Sequence, residues 1–341
     1  MKPIVYVAPS ATRKEGYPNP YFKRLKKNLE SSCKVLESDN KACLMQGLAL
    51  LRNSFKADVF LLSFVEGLAF QKLAPVQTFL AILSLGIIRI RKRTMVFFFH
   101  NPVAHKGNNW MSRLLFKKLF SHADYVVAHS ANTAEIARSK VGKDRVLLFS
   151  HPTEPLKVSE PAREDTDVLI WGTVFPYKGV LEFVSNPQIR ESGLRITILG
   201  ACPDPILAQR IHSCTNDKIE FDERRASLDE IASRVAGCRF VLFPYHPESI
   251  SGSASLMDTL KMGGSPVGPD AGAFHDLAEE GLCKTYQSED ELLSILRSGW
   301  SIDQNKLAQF LENHSWPAFV EALSRFIPSL RQKSYGTDNR R

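Results

Sequence analysis

The sequence predicts an α/β protein of two Rossmann-like domains, and three observations carry that expectation. Short apolar segments alternate with helical patterns along the chain. The segments are apolar on both faces, as strands buried inside a parallel sheet are. The alternation stops at one stretch rich in proline and charge, HPTEPLKVSEPAREDTD (151–167), and then begins again. Repeated β–α alternation builds open parallel sheets covered by helices. A length of 341 residues suits two domains better than one core.

In the first half the predicted strands are IVYVA (4–8), DVFLLS (58–63), MVFFFH (95–100), DYVVAH (124–129) and RVLLFS (145–150). The N-terminus MKPIVYVAPS holds too short an apolar run for a signal peptide and reads as the first strand. The segment KLAPVQTFLAILSLGIIRIRKR (72–93) is interrupted by Gln77, Thr78 and Ser84. Its apolar run falls short of the roughly 18 residues a bilayer span needs, so a core helix on the sheet is expected. In NNWMSRLLFKKLF (108–120), Trp110, Leu114, Leu115 and Phe120 alternate at helical spacing with Arg113, Lys117 and Lys118. That pattern fits an interfacial helix or a core helix with a wet outer face. After the linker the strands are VLIWG (168–172), RITILG (195–200), KIEF (218–221) and RFVLFP (239–244), and SYGTDNRR (334–341) reads as a loose tail.

The six cysteines, Cys33, Cys43, Cys202, Cys214, Cys238 and Cys283, form no C-x-x-C pair and have no histidine cluster beside them. Reduced, mostly buried thiols in a cytoplasmic protein are expected, with no metal site. Charge is uneven. Residues 1–150 hold 24 Lys and Arg against 9 Asp and Glu, an excess of 15, whereas residues 151–341 hold 20 against 27. The basic half suits an anionic partner, whether a membrane face, a lipid-linked diphosphate or nucleic acid, or a merely solvated surface. No nucleic-acid module is recognisable in it, so no nucleic-acid partner is expected. There is no G-x-G-x-x-G, Walker lysine or G-x-S-x-G. A D-x-D at 165–167, the manganese signature of GT-A glycosyltransferases, precedes a strand rather than following one and so faces away from a ligand edge.

Ligands of open parallel sheets sit beyond the carboxyl ends of the strands. Three such loops stand out. VLIWG ends in Gly172 and leads to Lys178-Gly179 at the start of a helix; a lysine there can meet a phosphate as a point charge. RITILG ends in Gly200. RFVLFP leads through Glu248 to SGSAS (251–255), then to a helical run closed by Gly263-Gly264. Small residues at a helix start fit a serine-capped loop. They also fit an anion site, where a phosphate approaches first-turn amides.

Taken in order, these pieces resemble the C-terminal domain of GT-B fold glycosyltransferases, and glycosyltransferase family 4 in particular. The matching residues are Gly172, Lys178-Gly179, Leu199-Gly200, Phe221, Phe243-Pro244, Glu248, Gly264-Ser265-Pro266-Val267 and Asp270-Ala271-Gly272. The first half is similar more loosely, in NPYFKRL (19–25), FFFHNPVAH (97–105) and SHADYVVAHS (121–130). HSWPAFVEALSRFI (314–327) resembles the family's closing helix, which crosses back to the first domain. The resemblance implies an acceptor domain over 1–160, a nucleotide-sugar domain over 161–314, a crossover helix over 315–331 and a tail over 332–341, with the two domains facing across a cleft.

It also implies a chemistry. A nucleoside-diphosphate sugar would lie along Gly172, Thr173, Lys178, Gly200, Phe221, Glu248, Ser251, Gly252, Ser253, Ala254, Ser255 and Asp258. Its diphosphate would be held by the amides of 252–256 and by Lys178, with no metal and no other cofactor. Glu248 would bind sugar hydroxyls, Asp258 the ribose, and His100 would meet the sugar from the other domain. Asn19, Tyr21, Glu66, Asn101 and His105 would serve a lipid-linked or oligosaccharide acceptor. The expected enzyme is a retaining hexosyltransferase of bacterial surface polysaccharide synthesis, cytoplasmic and peripheral on the inner membrane face. Two departures stand against full activity: Thr173 occupies the place of the family's arginine, and Glu248 has no partner glutamate eight residues on. A catalytically weakened relative that binds sugar or polymer is the alternative.

Overall fold

The structure, a computed structural model, describes residues 2–8, 20–36, 45–100, 109–155, 166–247 and 252–331. It divides into two compact units, residues 1–150 with 316–341, and residues 151–315. Each is built on a six-stranded sheet in which every pairing is parallel.

The strands of the first unit are β1 (Ile4–Ala8), β2 (Lys34–Leu36), β3 (Val59–Ser63), β4 (Thr94–Phe99), β5 (Tyr125–Ala128) and β6 (Val146–Leu148). Their order is β2-β1-β3-β4-β5-β6. Side chains alternate across this sheet, and both faces are buried. Tyr6, Phe60, Leu62, Phe97 and Phe99 join one core, while Val5, Val7, Leu61, Val96 and Phe98 join the other. This is why the strands read as unbroken apolar runs. Helices 46–54, 74–90, 110–122 and 131–141 cover the first face through Leu50, Leu85, Leu119 and Ala134. Helix Pro20–Leu29 and the last described α-helix, Trp316–Phe326, cover the second. Trp316, Phe319, Val320 and Leu323 are buried there beside Phe22 and Leu25.

The second unit contains β7 (Thr166–Trp171), β8 (Ile196–Leu199), β9 (Ile219–Asp222), β10 (Cys238–Leu242), β11 (Pro266–Pro269) and β12 (Lys284–Tyr286), in the order β12-β11-β10-β7-β8-β9. Strand order reverses between β10 and β7, the switch point where such sheets take ligands. β2, β11 and β12 escape the sequence reading. β2 and β12 are three-residue edge strands, too short for a pattern. β11 is PVGP, whose composition reads as a turn.

Segment 72–93 does form a helix on the sheet, Ala74–Ile90. Among the described residues no helix is long and apolar enough to cross a membrane. Helix Trp110–His122 starts at a capping box made by Asn109 and Ser112; Leu115 and Leu119 point into the core, and Trp110 is exposed.

Candidate functional site

In the second unit the carboxyl ends of β7, β8 and β10 meet at contact distance, because glycines stand where they do. A methyl group on Gly200 would lie 2.0 Å from the Gly172 carbonyl oxygen, and one on Gly179 would lie 2.0 Å from that of Pro244. Gly179 also has φ +62, a conformation that glycine adopts without strain. The loops are tied by backbone hydrogen bonds, Gly172 N to Leu199 O at 2.9 Å and His246 N to Tyr177 O at 3.1 Å.

These ties bring Gly172, Lys178 and Ser255 together. A methyl group on Gly172 would sit 3.4 Å from Lys178 Nζ and 3.9 Å from Ser255 Oγ. Lys178 is only 8% exposed. Its ammonium lies over the Tyr245 ring, 5.4 Å from the centroid, and no carboxylate among the described residues pairs with it. Burial alone pushes its pKa down to about 8. A buried ammonium without a counter-charge is costly, and an anion relieves the cost.

Helix Ala254–Lys261 begins at the same place. Ser253 is its N-cap, accepting a hydrogen bond from Leu256 N at 3.2 Å. The amides of Ala254 and Ser255 have no acceptor among the described residues. They carry the partial positive charge of a helix start. The Tyr245 phenol lies close to the Ser253 and Ser255 hydroxyls, and burial raises its pKa well above the ordinary range. It therefore stands beside the cap as a neutral hydroxyl. Thr259, one turn on, accepts a 3.0 Å bond from Trp171 Nε1, pinning the helix to β7. Helix-start amides and an ammonium, neither with a partner among the described residues, gathered at one strand edge make a site for a phosphate or diphosphate.

The other expected donor residues are placed as follows. Thr173 and Gly252 are exposed beside the cluster. Phe221 has its ring in the core, 4.7 Å from the His212 ring. Asp258 is half-buried on the helix, 3.6 Å from Lys261, whose ammonium is also 3.1 Å from Glu154. Glu248 and Ser251 lie outside the described residues. Tyr245 and the stacked exposed pair Phe175 and Tyr177 were not singled out from the sequence. An exposed aromatic run beside Lys178 in FPYKG was the available signal. Asp167 of the D-x-D sits at the amino end of β7 and holds Arg195 and Arg239.

The corresponding edge of the first unit gathers a second cluster. Tyr21 is buried and its hydroxyl lies 2.9 Å from His129 Nε2; His129 Nδ1 lies 2.8 Å from the Phe149 carbonyl. Nδ1 can only donate to that carbonyl, so Nε2 accepts from Tyr21. Burial lowers the His129 pKa to about 4 and keeps the ring neutral. His100, just past β4, stacks on Phe64 at 4.5 Å and lies 5.3 Å from His129. Phe64 holds φ +53, a strained conformation for a bulky residue, and leads into the 3-10 turn Val65–Phe70 that carries Glu66. Glu66 is 7% exposed, and its Oε2 has no hydrogen-bond partner among the described residues. Desolvation raises its pKa to about 7. Asn19, Asn101 and His105 lie outside the described residues.

No family model and no curated protein matches this sequence. Solved structures are similar along nearly its whole length. HepE of Anabaena, in complex with UDP, is 14% identical with a TM-score of 0.65, over 96% of this chain and 100% of that one. The lipopolysaccharide outer core galactosyltransferase WaaB, in its apo form, is 12% identical with a TM-score of 0.65, over 96% and 99%. A putative UDP-N-acetylglucosamine 2-epimerase of Listeria monocytogenes is 11% identical with a TM-score of 0.55, over 96% and 97%. At these identities the likeness is one of fold: this chain has the two-unit α/β fold of GT-B proteins.

Proposed function

We propose that the protein is a glycosyltransferase that uses a nucleoside-diphosphate sugar, with the donor's diphosphate at the amino end of helix Ala254–Lys261. The observation that carries this reading is Lys178, a buried ammonium with no carboxylate partner among the described residues, beside helix-start amides that have no acceptor among them. In the proposed reaction the anomeric carbon–phosphate oxygen bond breaks as a bond to an acceptor hydroxyl forms on the same face of the sugar. The hydroxyl's proton passes to the departing phosphate. Lys178 and the amides of Ala254 and Ser255 stabilise the negative charge that develops on the leaving group. That role requires no metal. Glu248 orients the sugar, as the resemblance to glycosyltransferase family 4 implies, and His100 and Glu66 serve the sugar and acceptor side. The acceptor is a lipid-linked or oligosaccharide hydroxyl of surface polysaccharide synthesis, met at the inner membrane face, to which the basic first half is drawn.

HepE has been solved with UDP and with UDP-glucose, so a uridine donor is the first candidate. A thermal-shift and turnover screen of UDP-, GDP- and dTDP-sugars tests the reading. Lys178→Ala and Glu248→Ala are each expected to lower transfer at least about tenfold, on the order of 1.4 kcal/mol. Unchanged transfer in both overturns the site. Consumption of the donor without any acceptor would favour an epimerase instead. The exposed Thr173, where the family has arginine, favours a second reading: a weakened relative that binds nucleotide sugar without turnover.

A further inference from the structure

We propose that helix Ala74–Ile90 and its flanks form a docking surface for an anionic lipid bilayer. The helix is amphipathic in an inverted sense. Its buried side carries the polar residues Gln77, Thr78 and Ser84 beside Ala81, Leu85 and Ile88. Gln77 is consumed internally: its Oε1 accepts from Gly47 N at 3.2 Å and its Nε2 donates to Lys72 O at 2.8 Å. Ser84 Oγ donates to Leu80 O at 2.6 Å. The outward side is apolar. Leu73 (61% exposed), Val76 (47%), Phe79 (65%), Leu83 (42%) and Ile90 (81%) recur every three, four or seven residues, which sets them in one stripe along the helix.

The stripe is not an isolated feature. Helix 74–90 packs between helices 46–54 and 110–122 on one face of the first sheet. Those neighbours add exposed Leu48 and Trp110. A large apolar face open to water marks a contact surface.

Charge names the occupant. From Gly67 to Ala123 the sequence contains no Asp or Glu but nine basic residues, Lys72, Arg89, Arg91, Lys92, Arg93, Lys106, Arg113, Lys117 and Lys118. Two of the cations serve the fold, Arg93 on Asp58 at 2.7 Å and Arg91 on the Ser54 carbonyl. Lys72, Arg89 and Lys92 are exposed at the two ends of the stripe. Apolar side chains framed by cations complement a bilayer whose acyl region lies beneath an anionic headgroup layer. The helix is oriented to lie on that surface rather than to span it, because its inner side is committed to the sheet. This deepens the membrane location proposed above and needs nothing from donor chemistry.

Co-sedimentation of the full chain with vesicles tests it. Wild-type protein is expected to bind phosphatidylcholine vesicles containing about a third phosphatidylglycerol at least tenfold more tightly than phosphatidylcholine alone. Phe79→Ser/Leu83→Ser, both exposed positions, is expected to weaken that binding at least tenfold with UDP affinity unchanged. Arg89→Gln/Lys92→Gln is expected to abolish the preference for anionic lipid. Wild-type binding that neither variant alters overturns the surface while leaving a membrane location elsewhere on the molecule. Absence of wild-type binding overturns both. A stable dimer broken by Phe79→Ser/Leu83→Ser, with no vesicle binding, would assign the stripe to a second copy and overturn the lipid assignment.

Discussion

Lys178 is where sequence and physics agree most closely, because one side chain carries both the motif and the energetic anomaly. Burial holds its pKa at about 8, and a diphosphate beside it would stabilise the charged form. Nucleotide binding therefore takes up a proton above that value. UDP affinity is expected to be greatest below about pH 8 and to fall by up to tenfold per unit above it, with Lys178→Ala weak and lacking that slope. Calorimetric titration between pH 7 and 9.5 reads this directly. Glu66 presents the opposite case. Its folded pKa of about 7 lies above the ordinary 4.5, so the folded state holds its proton more tightly and stability falls as pH rises between those values. The loss amounts to roughly 3 kcal/mol at most. Glu66→Gln is expected to match the wild type near pH 4.5 and to melt higher at pH 8. Equal melting temperatures at pH 8 would show that the carboxylate is solvated. Neither shift is visible in the sequence, since each arises from burial by residues distant along the chain.

At the scale of elements, the candidate site depends on loops lying closer than side chains allow. Gly200 faces the Gly172 carbonyl with room for hydrogen alone. Gly200→Ala forces backbone apart at the ends of β7 and β8 and is expected to cost about 2 kcal/mol or more, measured by chemical denaturation. It should also weaken nucleotide binding, because Gly172 lines the cluster around Lys178. The ordered strand-end motifs make this edge legible in the sequence itself. The short strands β2 and β12 were not, as three residues carry too little periodicity. Helix 74–90 was legible as a helix, but its orientation was not. Periodicity reports that a helix has two faces; that the polar one is buried is seen only where helix 46–54 packs on it, with Gly47 close against Gln77 and its amide bonded to Gln77 Oε1.

At the scale of the whole molecule, the chain closes its first unit with helix Trp316–Phe326, the last α-helix among the described residues. Trp316, Phe319, Val320 and Leu323 are almost fully buried there. Their loss removes roughly 6 kcal/mol or more of apolar burial, comparable with the whole stability of a domain. A chain ending at Ser315 is expected to lose cooperative folding of residues 1–150 while residues 151–315 keep their own core and their affinity for nucleotide; limited proteolysis with UDP present distinguishes the two. By itself the sequence determined the α/β class, the two series of strands and the order of the strand-end glycines and Lys178, because these are local patterns of hydrophobicity and turn chemistry. Only the tertiary structure decided that Lys178 is buried with no carboxylate partner among the described residues, that it stands beside the start of helix Ala254–Lys261 and that an apolar stripe faces outward. Burial and exposure are properties of segments brought together from far apart in the chain, and no local pattern encodes them.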